Sequence, residues 1–125
     1  MGPADVRAVM EAAGWPGGRF LVGRSIHSPE QAAALAGSGV DWLVLGSVYA
    51  TASHPGGRPL GPAAVAAAVR VAGLPVLAIG GVGPAEVAGL LSLGAYGVLV
   101  KSGVWGEDDP PGAVTRYLEV LDRED

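Results

Sequence analysis

The strongest constraint on the fold is a repeated pattern in which a short apolar run precedes a proline-led segment with helical spacing. The apolar runs are Phe20–Val22, Trp42–Leu45, Val76–Ile79 and Gly97–Val100. The prolines that open the helical segments are Pro29, Pro62, Pro84 and Pro111. The runs are continuous rather than alternating, which is typical of parallel strands covered on both faces, and proline is well suited to a first helical turn. The pattern predicts a parallel α/β architecture.

A further helix is predicted ahead of the first apolar run. Val6, Val9 and Ala13 are spaced as one face of a helix, and Gly14 is suited to end it. The chain would then form one domain, residues 1–125, with four βα units after an N-terminal helix, because no change in composition marks a linker. A complete barrel of eight such units needs roughly 200 to 250 residues, so the predicted fold class is half of a TIM-type (β/α)8 barrel.

Half of a barrel leaves two sheet edges and an inner face uncovered, which favours association with another chain. We therefore expect a homo-oligomer, with a dimer as the simplest closed arrangement, or a partner chain that supplies the rest of the barrel. A different closure of the sheet is the remaining alternative.

Charge and composition exclude several classes of function. The net charge is −4 and no basic cluster is present, which argues against a nucleic-acid partner. The chain has no cysteine, which excludes a disulfide framework and cysteine-built metal sites. Its apolar runs are too short to cross a membrane and no leader-like segment opens it, so we expect a cytoplasmic protein without a membrane partner.

The segment that follows the first apolar run contains the best candidate for proton transfer. In parallel α/β proteins, functional residues collect where strands end, and this segment, 23–28, carries Ser25, His27 and Ser28. An imidazole titrates near neutral pH, so His27 is a candidate general acid and base; the alternative is a histidine that packs against a loop. Ser25 is a candidate substrate contact, although both hydroxyls are more simply explained by helix-entry chemistry.

Two later strand ends have the composition of a phosphate cradle. Gly80 and Gly81 would let the backbone approach an anion closely, while the helix that begins at Pro84 directs its positive end toward it. Ser102 and Gly103 would supply a second set of N–H donors, as in compact barrels that hold phosphate after their last two strands. The alternative for these glycines is a simple turn. The neighbouring Lys101 either contacts the phosphate or lies in solvent, and we expect it to lie in solvent.

A Gly- and Pro-rich loop at 52–60 either covers a ligand or lies free in solvent. Its candidate ligand contacts, together with the residue that precedes it, are Thr51, Ser53, His54 and Arg58. His27 and His54 have no carboxylate at helical spacing beside them, so we predict no metal site and no cofactor. The acidic run at 107–109 is expected to be a solvated start to the last helix.

Four motifs in order resemble one known family. They are Gly-Arg-Ser-Ile-His-Ser at 23–28, Gly-Val-Asp-Trp-Leu-Val-Leu-Gly-Ser-Val-Tyr at 39–49 followed by Thr51, Leu-Pro-Val-Leu-Ala-Ile-Gly-Gly-Val at 74–82, and Gly-Ala-Tyr-Gly-Val at 94–98 leading to Ser102-Gly103-Val104. Together they resemble the thiamine-phosphate synthase and TenI family of (β/α)8 barrels that bind thiazole phosphates. The resemblance runs from about Phe20 to Leu121, and it implies strands five to eight of the barrel.

The resemblance also implies an activity. A histidine in the Ser-x-His-Ser position is similar to the TenI branch, which implies a thiazole tautomerase of thiamine biosynthesis with His27 as acid and base. Its ligand would be a phosphorylated thiazole, bound by Gly80, Gly81, Ser102, Gly103, Thr51 and Ser25.

The synthase branch is the first alternative. Its members use Mg²⁺ held by acidic residues outside the matched region, and a lysine typical of the family is replaced here by Ser53-His54. The second alternative is a half-barrel without catalysis, which binds a phosphate ligand or serves as a subunit that completes another protein's barrel.

Overall fold

The computed structural model describes residues 3–14, 21–51 and 56–123. The elements in chain order are α1 (Pro3–Ala12), β1 (Gly23–Ile26), α2 (Pro29–Ala34), β2 (Trp42–Leu45), α3 (Pro62–Ala72), β3 (Val76–Ile79), α4 (Pro84–Ser92), β4 (Gly97–Leu99), α5 (Ser102–Trp105) and α6 (Pro110–Arg123). The strands form one four-stranded parallel sheet in the order β1-β2-β3-β4. The predicted α/β class, with four βα units after an N-terminal helix, is confirmed.

The first strand was predicted at the wrong place. The apolar run at 20–22 suggested a strand there, but the strand is Gly23–Ile26, and Leu21 is 76% exposed. Phe20 lies outside the described residues. The strand β1 pairs with β2 alone, so backbone hydrogen bonds rather than apolar side chains define it, and only Ile26 is buried. His27 therefore follows the strand directly, at the carboxyl edge of the sheet.

The helices bury one face of the sheet, whereas side chains on the other face are partly exposed. Leu43 and Leu45 on β2 and Ala78 on β3 are fully buried beneath the helices. Side chains of a strand alternate between faces, so Ile79 and Leu99, which pair across β3 and β4, lie on the opposite face. Ile79 is half-buried and Leu99 is 36% exposed. The expectation of strands covered on both faces therefore holds for the helix side only.

The helices begin largely where the prolines predict. The helices α2, α3 and α4 start at the expected prolines, whereas α6 starts at Pro110, one residue earlier than expected. Asp109 precedes it and accepts a hydrogen bond from the Gly112 N–H at 3.2 Å, which caps the helix and confirms the acidic run as its start. The helix α5 was not predicted, because four residues are too few to show helical periodicity.

Candidate functional site

The carboxyl ends of the four strands open into one cavity of about 800 Å³. Seven residues expected from the sequence line it: Ser25, His27, Thr51, Gly80, Gly81, Ser102 and Gly103. They lie at or after the ends of the four strands, and the parallel topology brings these segments to the same edge of the sheet. Ser53 and His54 lie outside the described residues.

His27 is exposed and is anchored at one of its ring nitrogens. Its Nδ1 lies 3.1 Å from the carbonyl oxygen of Gly46, the first residue after β2. A carbonyl oxygen only accepts hydrogen bonds, so this contact requires the proton on Nδ1 and leaves Nε2 as the second ring nitrogen for proton exchange. The His27 backbone N–H donates to Gln31 Oε1 at 2.6 Å. The ring is therefore held between two strand ends.

The two hydroxyls near His27 have different positions. Ser28 has extended backbone angles, and its Oγ accepts a hydrogen bond from the Gln31 N–H at 3.2 Å. Ser28 is therefore the N-cap of α2, as helix-entry chemistry predicts. Ser25 pairs with Val44 on the open face of the sheet and lines the cavity.

The loop after β3 has a backbone that only glycine accommodates. Gly80 and Gly81 have φ angles of 104° and 64°. A methyl group on Gly81 would lie 2.9 Å from the Tyr49 Cβ and would overlap the Ala50 carbonyl oxygen. The Tyr49 N–H donates to the Gly80 oxygen at 2.9 Å, which holds this loop against the loop after β2. The backbone of Gly81 therefore faces the cavity without a side chain in front of it.

The amino terminus of α4 was expected to face an anion, but a side chain of the same helix caps it. The Gly83 N–H donates to Glu86 Oε2 at 2.9 Å, so a carboxylate from its own first turn caps this helix. The cavity-lining N–H groups that donate to no protein acceptor within the described ranges include those of Gly81, Ser102 and Gly103. Ser102 and Gly103 belong to the first turn of α5, whose N–H groups have no acceptor inside the helix.

A tyrosine of α6 that none of the sequence motifs contains is part of the site. Tyr117 is 6% exposed, and its hydroxyl donates to the Val82 carbonyl oxygen at 2.6 Å. Burial raises the pKa of this hydroxyl above its ordinary value, and the negative charges of Glu86 and Glu107 raise it further. A methyl group on Gly103 would overlap the same hydroxyl oxygen. No signal in the sequence distinguishes Tyr117 from its apolar neighbours.

The charged side chains around the cavity favour an anionic ligand. Arg58, Lys101 and Arg116 line it, against one carboxylate, Glu107, among the described residues. All four are exposed. Glu107 follows α5 and Arg116 lies in α6, and the sequence linked neither residue to the site. Because cations outnumber carboxylates, the cavity attracts negative charge despite the acidic composition of the whole chain.

The described part of the chain contains no group of three or more His, Cys, Asp or Glu side chains placed to hold a metal ion. The residues at hand therefore do not fit the Mg²⁺ site that the synthase branch implies. Within the same residues, no helix has the length and apolar character needed to span a bilayer.

Fold and site together define a class: a parallel half-barrel with an anion-attracting cavity at the carboxyl edge of its sheet. The thiamine phosphate pyrophosphorylase from Pyrococcus furiosus has this fold, with a TM-score of 0.76 and 28% sequence identity. The alignment covers 98% of this chain and 58% of that chain. The half-barrel is thus similar to part of a larger TIM-type structure.

Residues 2–104 match the family model of thiamine monophosphate synthase, TMP-TENI, and the chain belongs to this family. The bifunctional thiamine biosynthesis protein ThiM/ThiE of Symbiobacterium thermophilum is 38% identical over 104 residues, or 82% of this chain and 22% of that protein. The thiamine-phosphate synthase of Salinispora arenicola is 34% identical over 106 residues, or 84% of this chain and 51% of that protein.

This chain thus spans only part of the length of these relatives, from 22% to 58%. Their names agree with the synthase alternative rather than with the TenI branch.

Proposed function

We propose that this chain binds a thiazole phosphate and forms the thiazole-binding half of a thiamine-phosphate synthase-family site. The observation that carries the proposal is that Gly81, Ser102 and Gly103, whose N–H groups donate to no protein acceptor within the described ranges, line one cavity together with three cationic side chains. Backbone N–H groups and cations are the donors that phosphate oxygens accept in proteins. The relatives named as thiamine-phosphate synthases support the substrate class.

The rest of the cavity suits a small heterocycle. Its volume of about 800 Å³ lies within the range of ligand pockets, roughly 300 to 1,000 Å³. Val44, Ile79 and Leu99 form an apolar wall on the open face of the sheet. A ring placed against this wall would have its phosphate at the strand ends, where the glycine loops lie.

Only part of the synthase reaction is assigned to this chain. The family couples the thiazole to a pyrimidine pyrophosphate, and that second substrate requires Mg²⁺ and acidic ligands that the described residues do not supply. We assign to this half-barrel the binding and orientation of the thiazole phosphate. The pyrimidine site would come from a polypeptide that completes the barrel.

A second candidate function rests on His27. Its Nδ1 is anchored by the Gly46 carbonyl while the ring lines the same cavity as the proposed phosphate donors. A tautomerase removes a proton from one atom of a thiazole phosphate carboxylate and returns a proton to another atom, and one imidazole can do both. The gain of an aromatic ring drives the reaction. This step requires no metal.

Binding of phosphate and of thiazole phosphate by calorimetry tests the proposal. Wild-type chain should bind both, and Gly81→Val should bind neither, because the side chain would overlap the Ala50 carbonyl. Gly89→Val is the matched control, since a Cβ at this exposed position of α4 meets nothing within 4 Å. Absence of binding by the wild-type chain contradicts the proposal.

Assays of turnover distinguish the three candidate functions, namely synthase, tautomerase and binding subunit. Formation of thiamine phosphate after addition of pyrimidine pyrophosphate, Mg²⁺ and a barrel-completing partner identifies the synthase. Tautomer conversion in the presence of EDTA identifies the isomerase. Binding without either reaction identifies a binding subunit.

A further inference from the structure

We propose that Tyr117 is a positioning residue for the anion site. It joins the loop after β3, which holds Gly81, to the first turn of α5, which holds Gly103, and thereby sets the affinity for phosphate. The inference rests on the proposed phosphate site and adds a residue that the sequence motifs do not contain. Tyr117 lies in α6, 14 residues beyond Gly103 and 35 beyond Val82, so it reaches both loops only through the fold.

The first contact is the hydrogen bond to the loop after β3. The Tyr117 hydroxyl donates to the Val82 carbonyl oxygen at 2.6 Å, and Val82 is only 5% exposed. Val82 lies between Gly81 and Gly83, and glycine has more backbone freedom to lose than any other residue. A buried hydrogen bond in the middle of this segment therefore fixes the Val82–Gly83 peptide, two peptide units beyond the one that carries the Gly81 N–H.

The second contact is with the first turn of α5, which follows β4. A methyl group on Gly103 would overlap the Tyr117 hydroxyl and lie 3.3 Å from the Tyr117 Cζ and 2.9 Å from the Val100 Cγ1. The Gly103 backbone therefore packs directly on the tyrosine. The Tyr117 hydroxyl is hydrogen-bonded to Val82 in the loop after β3 and is in contact with Gly103 in α5. It thereby sets the spacing between the N–H groups of these two segments.

The helix that carries Tyr117 is well placed to act as a support. Ala113 and Tyr117, one turn apart, are both buried, and α6 packs against α4 and α5. The helix α4 begins directly after the loop that holds Val82, and α5 contains Gly103. The raised pKa of the hydroxyl means that it remains a hydrogen-bond donor at neutral pH. A residue that only filled the core would need no hydroxyl, because a buried hydroxyl costs free energy unless it is bonded.

Removal of the hydroxyl alone tests the inference. Tyr117→Phe keeps the ring and breaks the bond to Val82, so the loops must be ordered when phosphate binds. The loss of one such bond should weaken phosphate affinity roughly three- to tenfold. Tyr96→Phe is the control, because Tyr96 is 76% exposed and does not line the cavity. Affinities are measured by calorimetry with inorganic phosphate, at a temperature where circular dichroism shows each variant fully folded.

The outcomes separate the two proposals. If the wild-type chain does not bind phosphate, the anion site itself is wrong. If wild-type and Tyr117→Phe chains bind with equal affinity, the site stands and the positioning role is overturned. A variant that is less stable when heated yet binds equally well shows a structural role only, and this also overturns the inference.

A double-mutant comparison gives a second test that does not depend on Tyr117→Phe alone. Gly103→Ala should weaken phosphate binding, because its methyl group would push the hydroxyl away from the loop. The same substitution should cost less affinity in the Tyr117→Phe background, where the overlapping oxygen is absent. Equal costs in the two backgrounds would mean that the hydroxyl does not couple the loops.

Discussion

At the scale of single residues, His27 has the greatest capacity for chemistry in the cavity. It is held by the Gly46 carbonyl and by the Gln31 side-chain amide rather than by a carboxylate, and its ring retains one nitrogen for exchange. The Gly46 carbonyl selects the tautomer with the proton on Nδ1. This arrangement suits a group that must both accept and return a proton.

We predict that His27→Gln lowers the kcat of thiazole tautomerisation by roughly 10²- to 10⁴-fold, the usual contribution of a general acid and base. The glutamine amide can still donate to the Gly46 carbonyl but cannot exchange a proton near neutral pH. Affinity for thiazole phosphate should remain close to that of the wild-type chain, which serves as the internal control. Turnover is followed by NMR in the presence of EDTA. Undiminished turnover by the variant would remove His27 from the reaction.

The sequence predicted the positions of the site residues better than their partners. His27, Gly81 and Ser102 could be placed together because each follows a strand, and parallel strands end at one edge of the sheet. Tyr117 could not be assigned, because its spacing in α6 is that of an apolar stripe and only the tertiary contacts give its hydroxyl a role. The bond between Gly83 and Glu86 likewise depends on a rotamer that sequence does not show.

At the scale of elements, caps and prolines make the helix starts predictable. Ser28 caps α2 through its Oγ, and α3 ends at Gly73 with a φ angle of 63°. Such signals are local, so sequence alone reveals them. The strand β1 lacks a local signal, because its polar residues are held in place by the backbone of β2.

The cap of α2 gives a stability prediction. Ser28→Ala should lower the free energy of unfolding by about 1 kcal/mol, because the Gln31 N–H loses its acceptor. Ser38→Ala, at an exposed serine in the turn after α2, should have little effect. The two variants are compared by urea unfolding monitored by circular dichroism. Equal stability of the two would show that the cap contributes nothing to the fold.

At the scale of the whole molecule, the described residues leave one face of the sheet partly uncovered and both of its edges open. Within these residues, β1 and β4 each pair on one side only. Beside β4, an apolar groove of about 190 Å³ is formed largely by β4 and α6. Val114 and Leu118 on α6 are 41% and 53% exposed at this groove. A helix that follows a strand normally covers the junction with the next strand, so this surface is suited to a further βα unit.

We predict that the 125-residue chain associates, as a homodimer by default, through the groove at β4 and α6. Leu118→Glu would place a charge on the apolar surface and should shift the chain toward monomer in sedimentation velocity. Val71→Glu, at a residue 45% exposed on α3 and outside the groove, is the matched control. A cooperatively folded wild-type monomer at micromolar concentration would contradict the prediction.

Tyr117 lines both the cavity and the apolar groove, so its ring is a wall shared by two binding surfaces. A polypeptide that fills the groove would act on phosphate binding through this residue, whose hydroxyl donates to the Val82 carbonyl. Any factor by which cover of the groove tightens phosphate binding must then equal the factor by which phosphate tightens that cover. Completion of the barrel and binding of its ligand would thus be coupled equilibria.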